Sequence, residues 1–189
     1  RHNVHEAGEQ PSQHPHEPVQ AFLAGLLPDS ERILEAWGRR FGVSARNPFA
    51  LLTAVGEDCA GAVQFVPPDR VAALLRPGRA RVTWLSEADV ADRLRTLRAD
   101  HSAWRRPGDA GQFSLTGAQP KTALHLREDR WGIPSGRTPT THILKPPTGE
   151  HDGLAENEHF CLELAAALGL PTARSKVLRF EDEVAIVIE

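Results

Sequence analysis

The chain has 189 residues, 40% of them apolar and 25% charged, with a formal net charge of -3. That balance fits one or two small domains with a real core, and it excludes a mostly disordered chain and a basic nucleic-acid binder. The longest uninterrupted apolar runs, such as Ala165 to Leu168, are a few residues long, far short of the roughly 20 that cross a bilayer, so neither a membrane span nor a secretory signal is expected.

Two cysteines, Cys59 and Cys161, cannot build a disulfide framework and have no CxxC or metal-like neighbour. Both read as small buried hydrophobes in a reducing, cytoplasmic setting. No methionine is present, even at position 1, which predicts that the chain begins inside a longer product or was processed. All the lysine is Lys121, Lys145 and Lys176; arginine supplies the rest of the positive charge. A lysine retained in so arginine-rich a chain marks a position of interest.

Residues 1–18 carry His2, His5, His14 and His16 among prolines and little apolar content, which predicts a mobile arm or loop; the histidine spacing matches no metal-ligand pattern. Helical periodicity follows in Phe22, Leu23, Leu26 and Leu27 and again in Ile33, Leu34, Trp37 and Phe41, with Pro28-Asp29-Ser30 between two helices. A third helix is predicted over Pro48–Val55. Gly61–Val66 reads as a strand stopped by Pro67-Pro68, and Val82–Leu85 as a short strand. Ser86 with Asp89 three residues on caps a helix carrying Val90, Leu94 and Leu97, whose Arg93, Arg95 and Arg98 read as a solvated face.

Pro107–Gly111 is a turn-rich joint, taken as a subdomain boundary. Beyond it come a strand at Phe113–Leu115, a Gly-containing loop, a strand at Lys121–Leu126, a third strand at Thr140–Lys145, a helix at Leu154–Leu168 closed by Gly169, and a hairpin of Val177–Phe180 with Val184–Ile188. The predicted architecture is α+β: an arm at 1–18, an amino-terminal α/β subdomain at 19–106, and at 107–189 a lobe of five antiparallel strands and one helix.

Three residues of this last region stand where phosphate chemistry needs them. A triphosphate requires backbone N–H donors, which a Gly-containing loop can aim inward, and fixed cations. Ser114–Lys121 offers such a loop, Lys145 ends the third strand, and Glu158 lies near the start of the next helix. A strand Lys paired with a helix Glu is how protein kinases hold a lysine against ATP phosphates. Each piece also has an ordinary reading: Gly117 as a hairpin terminator, Lys145 as a surface strand end, Glu158 as a first-turn acid complementing the helix dipole. A P-loop does not fit, because Leu115 and Pro120 stand where glycine is needed and a strand follows instead of a helix.

The runs Phe113-Ser114-Leu115-Thr116-Gly117-Ala118-Gln119-Pro120-Lys121-Thr122-Ala123-Leu124, Trp131-Gly132-Ile133-Pro134, Pro139–Lys145 and Glu156-Asn157-Glu158 resemble the HipA-like serine/threonine kinase toxins. Upstream, Gly25–Asp29, Asn47-Pro48-Phe49 and Gly56–Phe65 resemble that family's amino-terminal subdomain, so most of the chain is covered. The resemblance implies a kinase small lobe binding ATP and Mg2+. In it Ser114, Leu115, Thr116, Gly117, Ala118, Gln119 and Lys121 form the nucleotide loop, and Ser114 is the autophosphorylated serine. Lys145 is then the phosphate-binding lysine, Glu158 its partner and Glu189 the first hinge residue beside the adenine.

No catalytic Asp or Asn and no metal-binding Asp of the family has a counterpart in these residues, so the chain alone is expected to be inactive. The family further implies a helix-turn-helix, HipB-like antitoxin as partner, contact with DNA only through that antitoxin, and a protein substrate such as an aminoacyl-tRNA synthetase. A non-catalytic antitoxin-binding module and an inactive remnant are the alternatives.

Overall fold

The computed structural model of the chain describes residues 16–56, 58–59, 63–74, 81–101, 103, 113–115, 117, 119–135, 138–148 and 153–189. Most of the expected arm and the joint at Pro107–Gly111 lie outside them. Residues 16–18 are not arm: α1 (His16–Ala24) already includes them, with Pro18 in a first turn where its missing N–H breaks no helical bond. α2 (Glu31–Phe41) buries Ile33 and Trp37 at helical spacing. α3 (Pro48–Val55) starts with Pro48 in its first turn, and the Asn47 side chain accepts the Ala50 N–H at 3.1 Å.

Of the strand expected over 61–66, residues 61 and 62 lie outside the described residues and 63–66 are not a strand. β1 (Asp58–Cys59) is two residues long, residues 63–67 are irregular, and Pro68 opens α4 (Pro68–Leu74). A proline after a short apolar run stops a strand, but its fixed φ equally suits a helix start, and here the second use prevails. β2 (Arg81–Trp84) leads into α5 (Glu87–Ala99), capped as expected: Ser86 Oγ accepts the Asp89 N–H at 3.2 Å while Asp89 Oδ2 accepts the Ser86 N–H at 2.8 Å.

The remaining elements are β3 (Phe113–Ser114), β4 (Thr122–Arg127), β5 (Arg130–Ser135), β6 (His142–Lys145), α6 (Leu154–Ala167), β7 (Ser175–Phe180) and β8 (Glu183–Ile188). Six strands form an antiparallel sheet in the order β2-β5-β4-β6-β8-β7. The expected five-stranded lobe is therefore corrected: it loses one strand and gains two. β3 leaves it to pair in parallel with β1, Asp58 opposite Phe113 and Cys59 opposite Ser114. β2, upstream of the joint, and β5 enter it.

Gly132 and Pro134 had hidden β5. Its ladder with β4 ends at Gly132, so Pro134 faces only β2, where it sits opposite Val82. A Cβ at Gly132 would collide with Val82 Cγ1, so glycine permits the close approach of β2.

Two apolar cores lie on opposite faces of the sheet. β4 alternates, so Ala123 joins a core with Leu23, Leu27, Trp37 and Leu51, whereas Leu124 joins Leu94, Leu144 and Val187 in the other. α5 reaches both, Leu97 in the first and Val90, Ala91 and Leu94 in the second.

Its arginines are only in part a solvated face, because Arg95 and Arg98 are exposed but paired. Arg93 is buried, Arg98 donates to buried Glu183 at 2.9 Å, and Arg95 reaches Asp182 at 2.7 Å and Glu183 at 3.5 Å. These pairs fasten α5 to the β7–β8 turn. Cys59 is buried as expected, but Cys161 is exposed on α6, beside exposed Phe160 and Leu164. α6 carries apolar residues on several sides, so spacing alone could not say which of them meets the sheet.

Candidate functional site

β6 places Lys145 at its last position, opposite Ile186 of β8, and alternation turns it to the same face as Ile143, away from Leu144. α6 crosses that face and brings Glu158 to it from the helix's second turn. Lys145 Nζ donates to Glu158 Oε1 at 2.6 Å, with the two side chains 18% and 28% exposed. The bond is a short charge-assisted one, shielded enough to hold both groups in place. One residue on, His159 Nδ1 lies 2.9 Å from Ser175 Oγ, tying this turn of α6 to the start of β7.

Lys121, immediately before β4, is buried. Burial pushes its pKa below the ordinary lysine value, the nearby Lys145 cation pushes the same way, and the carboxylates of Asp29 and Glu158 oppose the shift. The four groups therefore share one electrostatic neighbourhood. Asp29 comes from the α1–α2 connection, and nothing in its local sequence signals a role at this site.

Gly117 completes the cluster. Its φ of +95 suits glycine, and a Cβ there would stand 2.9 Å from Lys121 Nζ, so any side chain would displace the ammonium.

The other expected loop residues divide. Leu115 is buried in the core of the helical half, and Gln119 is exposed. Thr116 and Ala118 lie outside the described residues. Ser114 is placed by its backbone in β3, opposite Cys59.

Glu189 follows β8 with a carboxylate oxygen 3.8 Å from Arg174. It lines a cavity of about 400 Å3 with Trp131, His142, Lys176 and Leu178, to which Lys121, Lys145 and Glu158 do not contribute. Burial pushes the pKa of His142, in that cavity, below the ordinary imidazole value, against the opposing pull of Glu189. The structure thus gathers Lys121, Lys145, Glu158 and Gly117 and leaves Glu189 to one side.

Two ammonium groups beside a glycine turn can hold a chain of phosphates, one cation for each of two phosphate groups and backbone N–H donors for the oxygens between. The residues present fit the polyphosphate of ATP. For Mg2+ they offer less: no group of three metal-ligating side chains occurs among the described residues. Nor is any helix among them long and apolar enough to cross a membrane.

Comparison with known proteins relates the chain to one family. The model of the HipA N-terminal domain matches residues 6–66, and that of the HipA-like C-terminal domain matches residues 113–189. The protein Y4mE of Sinorhizobium fredii (strain NBRC 101917 / NGR234) is 41% identical over 158 residues, covering 80% of this chain and 36% of its own length. The serine/threonine-protein kinase toxin HipA of Shewanella oneidensis is 31% identical over 175 residues, 90% of this chain and 37% of its own.

Among solved structures, the complex of the Shewanella oneidensis MR-1 toxin–antitoxin system, HipA with HipB and its operator DNA, superposes with a TM-score of 0.68. The identity is 28%, over 90% of this chain and 38% of that one. The chain spans a little over a third of the length of these relatives.

Proposed function

The chain belongs to the HipA-like family, and on that premise we propose that it carries the nucleotide-binding small lobe, with its amino-terminal subdomain, of a serine/threonine protein kinase toxin. The observation that carries this reading is the Lys145–Glu158 ion pair, a strand-end lysine held by a helix glutamate beside a glycine turn and a second, buried lysine. Lys145 would bind the α- and β-phosphates of ATP, Glu158 would orient it, and Lys121 with the backbone of residues 114–119 would complete the phosphate cradle. Glu189 would lead to the adenine side, and Ser114 would receive a phosphoryl group.

Mg2+, if bound, would supply charge neutralisation to the polyphosphate. Its ligands and the catalytic base would come from parts of the kinase that these residues do not include, and the protein substrate would be a separate molecule. A HipB-like antitoxin is the partner we infer; the solved neighbour's assembly with HipB and DNA supports it.

Titrating the purified chain with ATP and with a non-hydrolysable analogue tests the reading. Saturable binding, weakened in Lys145→Met, is the expected result, and no binding by wild type at millimolar nucleotide refutes it. Incubated with labelled ATP and Mg2+, the same chain should take up no label, because the acid–base and metal groups of phosphoryl transfer are not in it; label on Ser114 would overturn that expectation.

A further inference from the structure

The entry to the nucleotide loop is not held by the six-stranded sheet. β3 pairs with β1, and the next residue, Leu115, is 9% exposed and shares a core with Leu23, Leu27, Trp37 and Leu51 of the amino-terminal helices. The exit is held by the sheet instead, where Thr122 pairs opposite Leu144 of β6. Gly117 lies between these two ties in a left-handed conformation, with Lys121 Nζ in the space its side chain would fill.

A loop anchored at both ends presents its backbone N–H groups already ordered, and a ligand then bears less of the ordering cost. Among the described side chains at the entry end, Leu115 is the apolar one seated in that core.

We propose that Leu115 is a positioning residue for the nucleotide loop, its side chain seated in the helical core so that the amino-terminal subdomain holds the loop's entry in register with Gly117 and Lys121. The inference rests on the nucleotide-binding reading above. Leu115 acts through the loop backbone and not by touching the ligand. Asp29, which pulls on the charge of Lys121 from the α1–α2 connection, is a second link between the same two parts.

The test compares wild type, Leu115→Ala, Leu115→Ile and Val90→Ala. Val90 is buried in the opposite core, so its variant controls for general loss of stability. Amide hydrogen exchange over residues 113–121 is read without nucleotide, and affinity is read with a non-hydrolysable ATP analogue.

Leu115→Ala should exchange about tenfold faster through the loop and bind about tenfold more weakly, as a smaller loop-ordered fraction dictates. Leu115→Ile should restore both to within about threefold, and Val90→Ala should lower the melting temperature with loop exchange and affinity unchanged. Unaltered exchange in Leu115→Ala, or an equal affinity loss in Val90→Ala, overturns the proposal. If wild type binds no nucleotide, the functional reading fails by itself and the exchange data still decide whether Leu115 clamps the loop.

Discussion

Replacing Lys145 by methionine keeps the length of the side chain and removes its charge. Two consequences follow from the 2.6 Å pair with Glu158. A charge-assisted contact to a phosphate oxygen is lost, worth about 1.5–3 kcal/mol, or roughly 10- to 150-fold in affinity. The Glu158 carboxylate is also left facing the same phosphates without its ion-pair partner, which pushes the loss toward the upper end.

The fold should tolerate the change. Glu158 is 28% exposed and can take up water, so the cost to stability is about 1 kcal/mol, or roughly 2–4 °C in Tm for a chain of this size. Glu158→Gln keeps the cation and should weaken binding by less than about fivefold. The double variant removes the stranded carboxylate and should bind about tenfold more tightly than Lys145→Met alone, as expected of groups in direct contact. Isothermal titration with a non-hydrolysable ATP analogue, on variants whose circular dichroism matches wild type, measures all four corners of the cycle. Wild-type affinity in Lys145→Met, or strict additivity in the double variant, refutes the reasoning.

Other outcomes follow from other parts of the structure. Glu183 is 3% exposed and held by Arg95 and Arg98; Glu183→Ala removes the buried partner these two half-exposed guanidiniums share and should cost about 1–3 kcal/mol by chemical denaturation, whereas Asp182→Ala, fully at the surface, should have little effect.

Protonated His142 is disfavoured in the folded chain, so as pH falls the unfolded chain takes up the proton first. Stability should be lost as pH drops from about 6.5 toward the lowered folded value and level off below it. His142→Asn should remove that slope from a series of melting curves, and an unchanged slope would exclude His142 as its source.

Lys121 follows the same logic at high pH. Its folded pKa lies below the ordinary 10.5, so stability should rise with pH between the two values. Lys121→Met should raise Tm at pH 7 while weakening nucleotide binding by about tenfold; a lower Tm would show that the buried ammonium is net stabilising.

Local signals carried much of the fold to its observed place. Asn47-Pro48 and Ser86 with Asp89 announce helix starts by chemistry confined to one turn, and Gly169, in the left-handed conformation at φ +82, ends α6 where a C′ glycine is expected. Lys145 and Glu158 were legible too, because a scarce lysine at a strand end followed by a helix acid at short range leaves few partners for either.

Position across the sheet was not legible. Nothing local marks β5 as a strand, because a proline is harmful only where a neighbour needs its N–H, and which edge of a strand is paired is a property of the assembled sheet. Phe113–Leu115 looked like the first strand of the lobe, yet it pairs with β1 and buries Leu115 among helices some sixty to ninety residues earlier in the chain.

The arginines of α5 have the spacing of a solvated face, and it takes the β7–β8 turn, delivered from far along the chain, to turn two of them into clamps on Glu183. Asp29 joins Lys121 in the same way. Periodicity, caps and a rare lysine are determined within a few residues and can be read from the sequence. Which face meets which, and which charges share one low-dielectric site, depend on chain segments that meet only when the two cores close.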